Sequence, residues 1–172
     1  LNTVEINDNN GNRVDYVSEG SKYSIVAVAE NEGKKSYHVT ATDKAGNISG
    51  KDITVTVDMT APVISDLEYT PGAKWTNESG NITFTYEDPA NTNEISGIED
   101  GTPSVTYTMD GVDKKLEMIS DGNRYTVEAG ELPEGSYTVT ITGYDKAGNE
   151  AIAQSIEIKK DLKAPVISDL SY

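Results

Sequence analysis

Residues 135–149 read GSYTVTITGYDKAGN. Tyr137, Val139 and Ile141 alternate with Thr138, Thr140 and Thr142. Period-two alternation of apolar and hydroxyl side chains, with β-branched residues throughout, is the pattern of a strand with one face in a core and the other in water. The stretch closes on Asp145-Lys-Ala-Gly-Asn149. Its Asp, Gly and Asn are the residue types of a tight turn with a positive-φ position.

The same pentapeptide stands at residues 43–47, 102 positions earlier. APVISDL occurs at 61–67 and again at 164–170, 103 positions apart, with Tyr69 and Tyr172 each two places on. Tyr23 and Tyr125, each preceded by a Gly-x-Lys/Arg turn, also align at 102. The chain is therefore a tandem array whose period is near 102 residues. APVISDL opens a unit and DKAGN lies near its close, which sets the boundaries. Residues 1–58 read as a partial module made of C-terminal strands, 59–161 as a complete module, and 162–172 as the first strand of a following one.

In the complete module the alternation predicts seven strands, over residues 63–69, 82–86, 105–109, 114–119, 124–128, 136–144 and 153–159. Asp110-Gly111 and Asp121-Gly122 are hairpin turn signals. Seven short antiparallel strands in one period argue for a two-sheet sandwich. The fold class is thus all-β: tandem immunoglobulin-like antiparallel β-sandwiches, the first module incomplete. The chain has no cysteine, so Phe84 with Val139 or Ile141 is expected to fill the space an inter-sheet disulfide would occupy. Tyr37 and Tyr137 fall where such sandwiches place a structural tyrosine corner, and His38, opposite Thr138 in that alignment, reads as an outward strand residue.

Composition removes several function classes. Fourteen Lys and Arg against 29 Asp and Glu leave a net charge of −15, the wrong sign for gripping phosphates, so nucleic acid is not an expected partner. No apolar run is long enough to span a bilayer. Without cysteine, and with His38 the sole histidine, thiolate chemistry and Cys- or His-built zinc sites have no parts. A carboxylate pair, as in glycoside hydrolysis, is the remaining catalytic constellation. Among 29 acidic residues such pairs arise by accident, and positions recurring in tandem modules encode turns and packing. No enzymatic activity is expected.

TAPVI at 60–64, SGI at 96–98 ahead of a strand ending in Asp110-Gly111, and GSYTVTITGYDKAGN together resemble the bacterial Ig-like repeat modules that tile cell-surface proteins and adhesins. The resemblance implies an extracellular stalk or adhesive array whose partners are neighbouring Ig-like modules and a host or cell-surface ligand the sequence does not identify. The alternative is a carbohydrate-binding or accessory domain of a secreted glycan-active enzyme. Asp58-Met-Thr-Ala-Pro62 is also similar to the linkers of giant adhesins whose module junctions bind calcium. The counterpart Asp161-Leu-Lys-Ala-Pro165 departs from them at Lys163.

Two readings attach to the acidic residues near that junction. In one, the DKAGN aspartate caps the amides of its own turn. In the other, sandwich topology brings Asp145 near Asp58 and Asp88, with Glu94, Glu99 and Asp100 on the same loop, and Ca2+ is bound at the module junction. Asp8-Asn-Asn-Gly-Asn12 places its glycine too early for an EF-hand and reads as a turn. Trp75 is expected to fold back over the sandwich end, with sugar stacking as the other option. Because 164–172 duplicates the segment that residues 1–58 lack, strand addition between molecules is a further expectation.

Overall fold

The computed structural model describes residues 1–26, 31–89 and 96–169. Glu94 of the acidic loop, and Leu170 and Tyr172 of the terminal repeat, lie outside them. The chain divides into two compact units, Leu1–Thr60 with Ala90–Ser96 and Ala61–Pro89 with Gly97–Tyr172. The described residues are organised in strands β1 to β14.

The first unit contains β1 (Thr3–Asp8), β2 (Tyr16–Glu19), β3 (Lys22–Ile25), β4 (Gly33–Thr42) and β5 (Ile48–Val57). They form an antiparallel sheet in the order β1-β4-β5 and a hairpin of β2 with β3. Val4, Ile6 and Tyr37 are its buried centre, with Tyr16, Tyr23, Ile25, Val39 and Val55 packed around them.

The second unit contains β6 (Val63–Thr70), β7 (Trp75–Thr76), β8 (Asn81–Glu87), β9 (Ser104–Met109), β10 (Val112–Leu116), β11 (Met118–Asp121), β12 (Arg124–Glu128), β13 (Gly135–Thr142) and β14 (Gln154–Lys160). One sheet runs β10-β9-β13-β14-β7 and the other β11-β12-β8-β6. All pairings are antiparallel except β7 with β14. Ile82, Phe84, Val105, Val127, Val139, Ile141 and Ile158 are wholly excluded from solvent. Removing each such side chain from water contributes about 1.5 to 3 kcal/mol, the main term holding the sheets together. Phe84, Val139 and Ile141 fill the core as the sequence predicts, and Phe84 stacks on Tyr125 with ring centroids 5.4 Å apart.

The turn chemistry follows the local sequence. Asp110 and Gly111 both have positive φ, 53° and 76°, the two-residue geometry that matches strand twist between β9 and β10. Asp121 pairs with Arg124 across Gly122 at φ 63°, and Glu19 pairs with Lys22 across Gly20 at φ 61°.

Three expectations need correction. The strand predicted over 114–119 is two strands in two sheets: β10 pairs with β9, β11 pairs with β12, and the chain crosses over at Glu117. The apolar alternation runs through the crossover, Leu116 buried and Met118 half-buried, so periodicity alone does not show it. Tyr37 is not a corner residue. Gly33 pairs with Val57 as Gly135 pairs with Lys160, which sets Tyr37 in register with Val139 and His38 with Thr140. Tyr37 is a core side chain, whereas Tyr137 has the corner geometry, its hydroxyl donating to the Glu134 carbonyl at 3.0 Å. Trp75, lastly, does not cover the sandwich end and is 60% exposed. His38 faces outward as expected and meets Asp52 at 2.6 Å.

Candidate functional site

The DKAGN turns use their aspartate in the first of the two ways the sequence allows. In the first unit Asp43 Oδ1 accepts the amides of Ala45 and Asn47 at 2.8 and 2.9 Å, and Oδ2 accepts the Asn47 side-chain amide at 2.8 Å. In the second, Asp145 accepts the Asn149 amide at 2.8 Å and its side chain at 2.7 Å. Gly46 and Gly148 hold the turns at φ 90° and 91°.

Asp8-Asn12 is a third copy. Asp8 accepts the amides of Asn10 and Asn12 at 2.9 and 2.8 Å and the Asn12 side chain at 3.0 Å, with Gly11 at φ 81°. The common signal is Asp-x-x-Gly-Asn, and a search for the full pentapeptide alone passes over it. In these two less buried copies the Asn side chain, followed by the turn amides, holds the Asp carboxyl below its ordinary value. Hydrogen bonds to the charged form favour it, and burial is too slight to offset them.

The Asp145 copy differs in its surroundings, being 1% exposed. Residues 97–99 are strapped along it: the Lys146 amide donates to the Gly97 carbonyl at 2.8 Å, the Glu99 amide to the Tyr144 carbonyl at 3.1 Å, and Ile98 bridges to Asp145. This strap brings in Asp88, whose Oδ2 accepts the Gly97 amide at 2.8 Å. Asp88 and Asp145 each offer a carboxylate oxygen within 4.8 Å of the other. Two like charges at that separation repel unless a cation or donors intervene.

In the first unit Asp58 accepts the Ser96 amide at 2.6 Å and the Thr60 amide at 3.1 Å. Burial works against its ionisation, but the Ser96 amide and hydroxyl with the Thr60 amide together outweigh it and lower its carboxyl below the ordinary value. Glu99 and Asp100, named on the same loop by sequence, are exposed, and Glu99 contributes its backbone to the strap. Asp161, the repeat counterpart of Asp58, makes the same short turn, accepting the Lys163 amide at 2.9 Å. The Lys163 ammonium meets Glu134 at 3.2 Å.

Chemically, Asp88 and Asp145 offer hard, anionic oxygens of the kind that could hold calcium or magnesium. Among the described residues no helix is long and apolar enough to cross a membrane.

No protein-family model matches the chain, and no curated protein matches it. Among solved structures it is similar to the fibronectin(III)-like modules of Clostridium thermocellum CbhA, with TM-score 0.52 and 17% identity over 98% of this chain and 83% of that one. A tetra-tandem repeat in the extending region of a large adhesion protein gives TM-score 0.44 at 18% identity, covering 92% of this chain and 41% of that chain. The CbhA likeness is one of fold, and it sets the chain among β-sandwich modules.

Proposed function

We propose that the chain is a non-catalytic stretch of Ig-like modules from a bacterial surface or secreted protein, serving as a spacer or adhesive stalk. Asp58, Asp88 and Asp145 hold a calcium ion where one module follows the next. The observation that carries this reading is the pair of carboxylates within the second unit, where Asp88 takes the Gly97 amide and offers an oxygen within 4.8 Å of one on Asp145. Asp58 stands on the chain segment that leads into that unit. Calcium accepts roughly six to eight oxygens, so three carboxylates leave places for carbonyls and water. Binding would neutralise part of the chain's excess negative charge and fix the linker ahead of Ala61. Pro62 already restricts that residue to extended conformations. A linker fixed in this way makes a string of modules a rod, which is what a spacer requires.

Calorimetric unfolding of the chain in calcium and in EGTA, with Asp58→Asn and Asp145→Asn alongside, tests the reading. A ligand that binds only the folded state raises its stability by about 2.7 kcal/mol at a hundred times Kd. The expected result is a calcium-dependent rise in Tm that both variants lose. Equal Tm in calcium and EGTA overturns the cation, and a rise that survives in Asp58→Asn overturns the placement.

A further inference from the structure

Trp75 is the sole tryptophan and is 60% exposed. Leaving an indole in water forgoes about 1.5 to 3 kcal/mol of burial, so a fold that holds one outward invites a functional reason. Here it is held by backbone. Trp75 and Thr76 form β7, which lies parallel to β14 with Trp75 opposite Lys159 and Thr76 opposite Lys160. The Thr76 carbonyl accepts the Asp161 amide at 3.0 Å and its hydroxyl accepts the Glu78 amide at 3.0 Å. At the loop's far end a Cβ on Gly80 would lie 2.2 Å from the Thr70 carbonyl oxygen, so the loop is closed against its own base. Beside β7, the Lys160 side chain is buried, donating to the Gly130 and Leu132 carbonyls at 2.5 and 2.9 Å.

A cavity of about 440 Å³ opens beside the indole, lined also by Pro71, Lys74, Thr76, Asn77, Glu78 and Asp161. Its chemistry is one flat aromatic face ringed by short-range polar groups. Asn77 both donates and accepts, Glu78 and Asp161 accept, and Lys74 donates. All four of these side chains are exposed.

We infer that this cavity binds a neutral oligosaccharide, with Trp75 stacking against the C–H face of a pyranose ring and Asn77, Glu78 and Asp161 taking its hydroxyls. Other ligand classes fit less well. Two carboxylates against one ammonium, on a chain of net charge −15, repel phosphates and acidic sugars. A protein partner needs roughly 800 Å² of matched surface with an apolar centre, and one indole ringed by polar groups does not supply it. A sugar presents an apolar face and a rim of hydroxyls on the same small body, as this cavity requires. The inference goes beyond the spacer reading and does not depend on calcium.

Because Trp75 is the sole tryptophan, its emission reports this site alone. The experiment titrates the full chain with cellohexaose, xylohexaose, chitohexaose and maltohexaose, following tryptophan emission and calorimetric heat. At least one sugar should give a saturable blue shift with matching heat. Trp75→Ala should weaken that binding by roughly tenfold to a hundredfold, with Asn77→Ala weakening it less. Both variants should unfold at the wild-type temperature, since neither side chain is buried. Three results would each overturn the proposal: no saturable response to any of the four, undiminished heat with Trp75→Ala, or an emission shift driven by protein concentration alone. The last would make a second copy of the chain the occupant.

Discussion

Gly143, just past the end of β13, packs against a buried tyrosine, and Gly143→Ala tests that packing. A Cβ built there lies 2.3 Å from the Tyr86 hydroxyl oxygen, 2.6 Å from Cζ and 3.0 Å from Cε2. Tyr86 is 1% exposed, and its hydroxyl donates to the Tyr144 carbonyl at 3.2 Å. The ring must therefore move by about an ångström into a packed interior, against an overpacking cost of roughly 1 to 3 kcal/mol. Loss of the hydroxyl's hydrogen bond adds about 1 kcal/mol. Alanine reduces the freedom of the unfolded chain and recovers about 0.4 to 1 kcal/mol, so the clash wins and the net loss is about 1 to 3 kcal/mol. For a unit of this size that lowers Tm by roughly 5 to 20 °C, which scanning calorimetry reads directly. Tyr86→Phe removes the nearest clashing atom, so the cost of Gly143→Ala should fall in that background, a coupling a double-mutant cycle measures. An unchanged or raised Tm, or the same cost with Phe at position 86, would refute the reasoning.

Asp145→Asn should destabilise the second unit by about 1 to 3 kcal/mol in denaturant titrations, because a buried acceptor facing the Asn149 amide becomes a donor. Asp43→Asn, in the same turn but only half-buried, should cost much less, and equal losses would sink the argument from burial. Acid should weaken the first unit through Asp8 and Asp43. Their folded carboxyls titrate below the ordinary 3.8, so the stability they contribute is fully present above that value and is lost as pH falls from it through the lower folded values. The Asp8→Asn/Asp43→Asn double variant should flatten this acid limb in unfolding followed by circular dichroism.

What the sequence made legible is what neighbours along the chain determine. Alternation located β6, β8, β9, β12, β13 and β14, because each buries one face and the period of two is written residue by residue. Asp110-Gly111 and Asp121-Gly122 named their hairpins because positive φ is a property of the turn residues themselves. One misreading was open to correction from the sequence itself: the 102-residue period sets Tyr37 opposite Val139, and the register with β5 agrees. The other two concern partners distant in sequence. The crossover at Glu117 leaves the alternation intact. Trp75 faces water because β7 lies along β14, some eighty residues on, and a two-residue strand leaves no periodic trace.

The repeated APVISDL segment separates these two kinds of information within one molecule. Asp66 has φ 51° where β6 bulges between Ser65 and Glu68. Asp169, its copy, has φ 58° in a segment that pairs with no strand among the described residues. The left-handed kink is therefore carried by the local sequence and needs no ladder. Burial of the neighbouring isoleucine needs β8 alongside, and only Ile64 has it. The Asp-x-x-Gly-Asn turn behaves in the same way. Asp8, Asp43 and Asp145 make matching bonds to their own asparagines, yet only Asp145, with the 97–99 strap and Asp88 laid against it, is buried beside a second carboxylate. A turn that any module can carry becomes a candidate cation site when other segments fold onto it, so in a tandem array the motif alone does not mark the site. The approach of Asp88 to Asp145 is what sets this copy of the turn apart.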